Sequence, residues 1–103
     1  MLTSKQRALL RGKANTMDPV FIIGKGEIDE ALIAGVNDCL AARELIKCKV
    51  LETSEYTARE AVAVLAEATE SDPVQVIGNK FVLYKQKKKD SAYAELLKAA
   101  ARK

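Results

Sequence analysis

The sequence predicts an α/β domain in which two strand–helix–strand units and a closing hairpin build a four-stranded mixed sheet. Three observations predict it. Four consecutive apolar residues, Val20-Phe21-Ile22-Ile23, stop at Gly24-Lys25-Gly26, and an acidic, Ala-rich stretch with helical spacing follows. Leu45–Leu51 alternates, with Ile46, Cys48 and Val50 facing one way and Lys47 and Lys49 the other. Val74–Ile77 and Phe81–Lys85 flank a tight turn at Gly78-Asn79 or Asn79-Lys80, a strong hairpin signal. The predicted order is α-β-α-β-α-β-β plus a C-terminal tail. Two right-handed crossovers then give a two-layer sandwich, with helices on one sheet face and the other face open.

The elements can be justified in order. Residues 3–14 read as a helix: Thr3 and Gln6 have capping-box spacing, and Leu9, Leu10 and Ala14 form a narrow apolar stripe. Gly12 weakens this helix by about 1 kcal/mol relative to Ala, marking either a close backbone approach or early fraying. Pro19 excludes helix and pushes Asp18 towards an extended backbone. Val20–Ile23 then reads as a central strand buried on both faces. A second helix is expected from Asp29 or Glu30 to Ala42, with Asp29 as N-cap and Ile28, Leu32, Val36, Cys39 and Leu40 on its buried side. The third opens at Thr53-Ser54-Glu55, with Thr57 and Glu60 as an alternative capping box, and ends near Ala68. Its outward face is acidic through Glu60, Glu67 and Glu70. Asp72-Pro73 ends that stretch, and Tyr84 is expected to pack on the sheet. Beyond the basic run Gln86–Asp90, Ser91–Lys103 has the pattern of a short helix with Tyr93, Leu96, Leu97 and Ala100 on one side. A helix of that length is marginal alone, so docking, folding on binding and fraying all stay open.

Composition excludes several classes. A chain of 103 residues, 49% apolar and 30% charged, is that of one ordinary globular domain. No apolar run approaches the roughly 18 residues that cross a bilayer, and the N-terminus lacks a signal-peptide core, so a cytoplasmic location is expected. There is no histidine, which removes the commonest general base and zinc ligand together. Cys39 and Cys48 have no metal or redox spacing and read as small core residues. Neither an enzyme nor a metal or other cofactor is expected.

Charge is unevenly placed. Residues 1–13 carry Lys5, Arg7, Arg11 and Lys13 without an acid, a net of +4, and residues 80–103 carry a net of +6. The middle, 14–79, has a net of −7. Basic ends around an acidic middle suit a polyanionic partner, although solubility alone also accounts for them. Within the middle, Gly24-Lys25-Gly26 looks like an anion clasp: glycines let backbone N–H groups turn outward, a helix start follows, and Lys25 adds a mobile cation. Lys47 and Lys49 either bind phosphate or guard the sheet against aggregation.

Taken together, Leu10–Ala14, Pro19-Val20, Ile23–Gly26, Glu44–Val50, Val76–Gly78 and Phe81–Lys85 resemble the YhbY family of stand-alone bacterial CRM domains (chloroplast RNA splicing and ribosome maturation). The resemblance spans about residues 3–86. It implies an RNA-binding domain with a fold like the C-terminal domain of bacterial translation initiation factor three, and association with precursors of the large ribosomal subunit. The family's Gly-x-x-Gly loop falls on Gly24, Lys25, Gly26 and Glu27. This chain departs from the pattern at Glu27, where a carboxylate would repel a nearby phosphate.

The expected organisation is therefore a CRM RNA-binding domain at 1–86 and a basic linker with a short helix at 87–103. The expected function is non-enzymatic binding of precursor ribosomal RNA by a monomer, through phosphate contacts. The contacts assigned are Gly24, Lys25, Gly26 and Glu27 of the loop, Lys5, Arg7, Arg11 and Lys13 of the first helix, and Lys47 and Lys49. Of these, Lys47 and Lys49 are secondary candidates, as is the Lys87–Lys89 run. The alternatives are an Alba-like double-stranded nucleic-acid binder and, further off, a small nucleotide-binding enzyme. The last lacks both a Walker-type loop and an acidic metal cluster.

Overall fold

The structure, a computed structural model, describes residues 2–26, 28–87, 91 and 93–101. The element order is α1 (Ser4–Ala14), β1 (Phe21–Ile23), α2 (Glu30–Arg43), β2 (Leu45–Val50), α3 (Ala58–Thr69), β3 (Asp72–Ile77), β4 (Lys80–Tyr84) and α4 (Ala94–Ala101). The strands form one mixed sheet in the order β1-β2-β4-β3. β1 is parallel to β2, and the β2–β4 and β4–β3 pairs are antiparallel. The α/β class, the sequence of elements and the four-stranded mixed sheet are those expected.

The helix starts follow the local chemistry. Thr3 caps α1 in a reciprocal box with Gln6: the Gln6 amide donates to Thr3 Oγ1 at 3.1 Å, and the Thr3 amide donates to Gln6 Oε1 at 2.9 Å. Asp29 caps α2, accepting from the Leu32 amide at 2.9 Å. α3 begins later than Thr53-Ser54-Glu55 suggested, because Thr57 and Glu60 form the capping box that defines its first turn. Ser54 serves a turn before it, its hydroxyl accepting from the Tyr56 amide. The Thr57 bonds also hold the Glu60 carboxyl below its ordinary pKa.

One sheet face carries most of the core. Ile23, Ile46, Cys48, Val50, Phe81 and Leu83 from the sheet meet Val36 and Leu40 of α2 and Ala61, Val62 and Leu65 of α3. Each large side chain buried there contributes about 1.5–3 kcal/mol. α2 lies so close to β1 that a Cβ on Gly35 would come within 2.9 Å of the Phe21 ring. Cys48 is fully buried and Cys39 partly so. Burial, with a smaller effect of Cys39, pushes the Cys48 thiol up to about 12.

Two expectations need correction. β1 is an edge strand rather than a central one, and Ile22 is 56% exposed. An unbroken apolar run cannot distinguish a strand buried on both faces from an edge strand whose second face carries an unburied residue. The second sheet face is also not open throughout. Leu10 and Ala14 of α1 and Leu97 of α4 pack on Leu45, Val74, Val82 and Tyr84 in a separate cluster. α4 is docked: Leu97 is 4% exposed, and Gln6 Nε2 donates to its carbonyl at 3.1 Å. Tyr93 meets Tyr84 edge to face, with ring centroids 5.9 Å apart. Leu96 points outward, so the expected apolar side of this helix is narrower than drawn. The Ala100 side chain lies outside the described residues.

Candidate nucleic-acid interface

The cations that the sequence singled out fall into three places. Lys47 and Lys49 project from β2 on the second sheet face, both half-buried. The Cα register sets Lys49 opposite Lys80 of β4 and Lys47 opposite Val82. A groove of about 210 Å³ runs beside them, lined by Asn15, Lys47, Gln75, Ile77, Lys80 and Val82. Asn15 caps the end of α1, whose last turn carries the exposed Arg11 and Lys13. The structure thus gathers Lys47, Lys49 and Lys80 on the second sheet face, on which α1 also packs. Lys80 had not been singled out, because it sits in a turn signal; only strand register shows that it faces Lys49.

Lys5 and Arg7 lie one to two turns earlier on α1, near the point where Gln6 reaches α4. At 1.5 Å per residue, Lys5 and Lys13 are about 12 Å apart along the helix axis. α1 therefore carries basic residues along most of its length, and its C-terminal end meets the open half of the sheet at Asn15.

The Gly24-Lys25-Gly26 loop lies at the sheet end where β2 finishes and the β3–β4 turn begins. The Leu51 amide donates to Ile23 O at 2.9 Å, and the Val50 amide to Asn79 O at 2.7 Å. Lys25 is exposed. Gly26 has φ +110°, a conformation that side-chain-bearing residues rarely adopt, whereas a Cβ on Gly24 would make only an ordinary 3.5 Å contact with Leu51. The loop borders a cavity of about 360 Å³ shared with Asp29, Ala31 and Leu32. Asp29 already occupies one amide of the α2 N-terminus and sets a carboxylate beside the cavity. A phosphate there would rely on Lys25 and the loop amides more than on the helix end. Glu27 lies outside the described residues, as do Lys88 and Lys89.

Sequence reasoning missed Glu44. It ends α2 with φ 64° and is 1% exposed. Its carboxylate accepts from Ser91 Oγ at 2.5 Å, with Tyr84 Oη and the Lys87 amide at 3.4 Å. It anchors the segment that leads to α4. Burial raises the Tyr84 hydroxyl above its ordinary pKa; the Ser91 bond opposes this and the Glu44 carboxylate adds to it. Lys85 donates to Thr69 O at 2.8 Å, closing the C-terminal end of α3. Among the described residues no group of His, Cys, Asp and Glu could hold a metal ion, and no helix is long and apolar enough to cross a membrane.

This architecture matches known proteins over nearly its whole length. The CRS1/YhbY (CRM) domain model matches residues 2–85. The chain belongs to the CRS1/YhbY (CRM) domain family. It is 41% identical over 90 residues to "Probable RNA-binding protein YqeI" of Bacillus subtilis, covering 87% of this chain and 94% of that one. It is 32% identical over 84 residues to an "RNA-binding protein" of Haemophilus influenzae, covering 82% and 85% of the two chains. A solution structure from Staphylococcus aureus superposes with a TM-score of 0.75 at 45% identity, covering 88% of this CRM chain and 95% of the other.

Proposed function

We propose that this CRM protein binds structured RNA without catalysing a reaction, and that its target is precursor ribosomal RNA of the large subunit. The observation that carries the RNA reading is the gathering of Lys47, Lys49 and Lys80 on the sheet face that the basic helix α1 packs on, in a family whose relatives are named for RNA binding. The contacts are phosphate contacts: lysines and arginines neutralise the backbone, and released counterions supply much of the affinity. Lys5 and Arg7 extend the contact along α1, and Lys25 with the Gly24 and Gly26 amides forms a second one at the loop. Glu27 weakens that loop by repulsion. The RNA-binding unit is 1–86, and α4 packs against α1. The protein acts as a cytoplasmic monomer. The family match favours this reading over the Alba-like and nucleotide-binding alternatives.

Filter binding of a ribosomal RNA transcript across a salt series tests the electrostatic part. Affinity should fall steeply with salt, Lys25→Ala should weaken binding and Glu27→Gly should tighten it. A salt-insensitive affinity would sink the phosphate-contact mechanism. Crosslinking in cells followed by RNA sequencing tests the target: dominant crosslinks outside large-subunit precursors would overturn the ribosomal assignment and leave RNA binding intact.

A further inference from the structure

The half of the second sheet face that α1 and α4 leave uncovered has a pattern that phosphate contact alone does not require. The register sets Ile22 beside Lys49, Lys49 opposite Lys80, and Lys80 opposite Ile77. One row of four side chains therefore crosses all four strands, and at about 4.8 Å per strand it is about 14 Å long. The neighbouring row holds Lys47, Val82 and Gln75, and neither row contains a carboxylate. Like charges directly opposite one another weaken a sheet, so the Lys49–Lys80 pair costs stability that an anionic partner would restore. Ile22 and Ile77, at 56% and 61% exposure, sit on the two edge strands. A sheet protected against edge pairing carries its lysines on the edges. Here the lysines are central and the isoleucines are at the edges, which is the reverse.

We infer that this row is a contact site for unpaired nucleotides of the bound RNA, an inference that rests on the RNA-binding reading above. Lys49 and Lys80 hold the phosphates, and Ile22 and Ile77 cover base or sugar faces on either side. The lysines select a polyanion. The isoleucines select an unpaired one, because a duplex stacks its base faces away from aliphatic side chains whereas a single strand leaves them open. The groove at the Ile77 end adds the amides of Asn15 and Gln75, which can donate to and accept from a splayed base edge.

Fluorescence anisotropy on the full chain separates the possibilities, with two probes: an RNA hairpin with an unpaired 3′ tail of about eight nucleotides and the same hairpin blunt-ended. The wild type should bind the tailed RNA about tenfold more tightly. Ile22→Ala combined with Ile77→Ala should cut that preference about fivefold, leaving the blunt affinity and the salt slope unchanged. Lys49→Gln with Lys80→Gln should weaken binding and flatten the salt slope. All four positions are exposed or half-buried, and circular dichroism and thermal melting check that the variants fold. Equal wild-type affinity for the two probes, or an isoleucine variant that keeps the preference, overturns the inference while RNA binding stands. If the isoleucine variant instead loses self-association in light scattering and keeps its tail preference, the row is a protein–protein contact and the inference is likewise overturned. A wild type that binds neither probe overturns the RNA-binding reading itself.

Discussion

The two faces of the sheet are built on opposite principles. The face under α2 and α3 is filled from end to end by Ile46, Cys48, Phe81 and Leu83, and its outer helix turns Glu60 and Glu67 to solvent. The other face is covered only where Leu45, Val74, Val82 and Tyr84 meet α1 and α4; the rest shows Lys49 and Lys80 between two exposed isoleucines. Stability is concentrated on the first face, and the second gives up burial for a cationic surface. The same four strands serve both because successive side chains alternate sides.

The largest effect should come from breaking the filled face. Phe81→Ala removes a ring that is 1% exposed and should cost about 3–5 kcal/mol, a large share of a small domain's stability. Urea denaturation reads this as a drop in midpoint. On the second face, Leu97→Ala should cost about 2 kcal/mol. It should release α4, seen in hydrogen exchange as faster exchange in α4 with α2 and α3 still protected. If α4 remains as protected as α3, the two clusters form one cooperative unit and the contrast fails. Gly26→Ala should cost about 1–3 kcal/mol through its φ of +110°. Gly24→Ala should be close to neutral in the same melt, since the added methyl makes only an ordinary contact.

Much of this was legible from local chemistry. The Thr3–Gln6 box, the Asp29 cap, the Gly78-Asn79 hairpin and the alternation in Leu45–Val50 are short-range signals, and each appears where the residues put it. What could not be read depended on contacts distant in sequence. Whether Ile22 is buried depends on how far α1 reaches across the sheet. The pairing of Lys49 with Lys80 depends on the register of β2 against β4, two strands separated in the chain by α3 and β3. The docking of α4 depends on Leu97 meeting α1 and the sheet, and the Glu44 bond to Ser91 before it rests on a burial that nothing at the end of an ordinary helix announces. That Lys47 and Lys49 lie on a central strand is likewise visible only in the strand order.

The central claim is that RNA is held on the second face by placed charges rather than by net charge. Its most direct test is a matched pair of variants: Lys47→Gln with Lys49→Gln on the second face, and Arg43→Gln with Arg59→Gln on α2 and α3 of the other. Both lower net charge equally, and RNA affinity is measured for each across a salt series. The account predicts that the lysine pair weakens binding at least tenfold and lowers the slope of log affinity against log salt by about 1.5, while the arginine pair stays near wild type. Equal losses in the two variants, or a larger loss in the arginine pair, would contradict it.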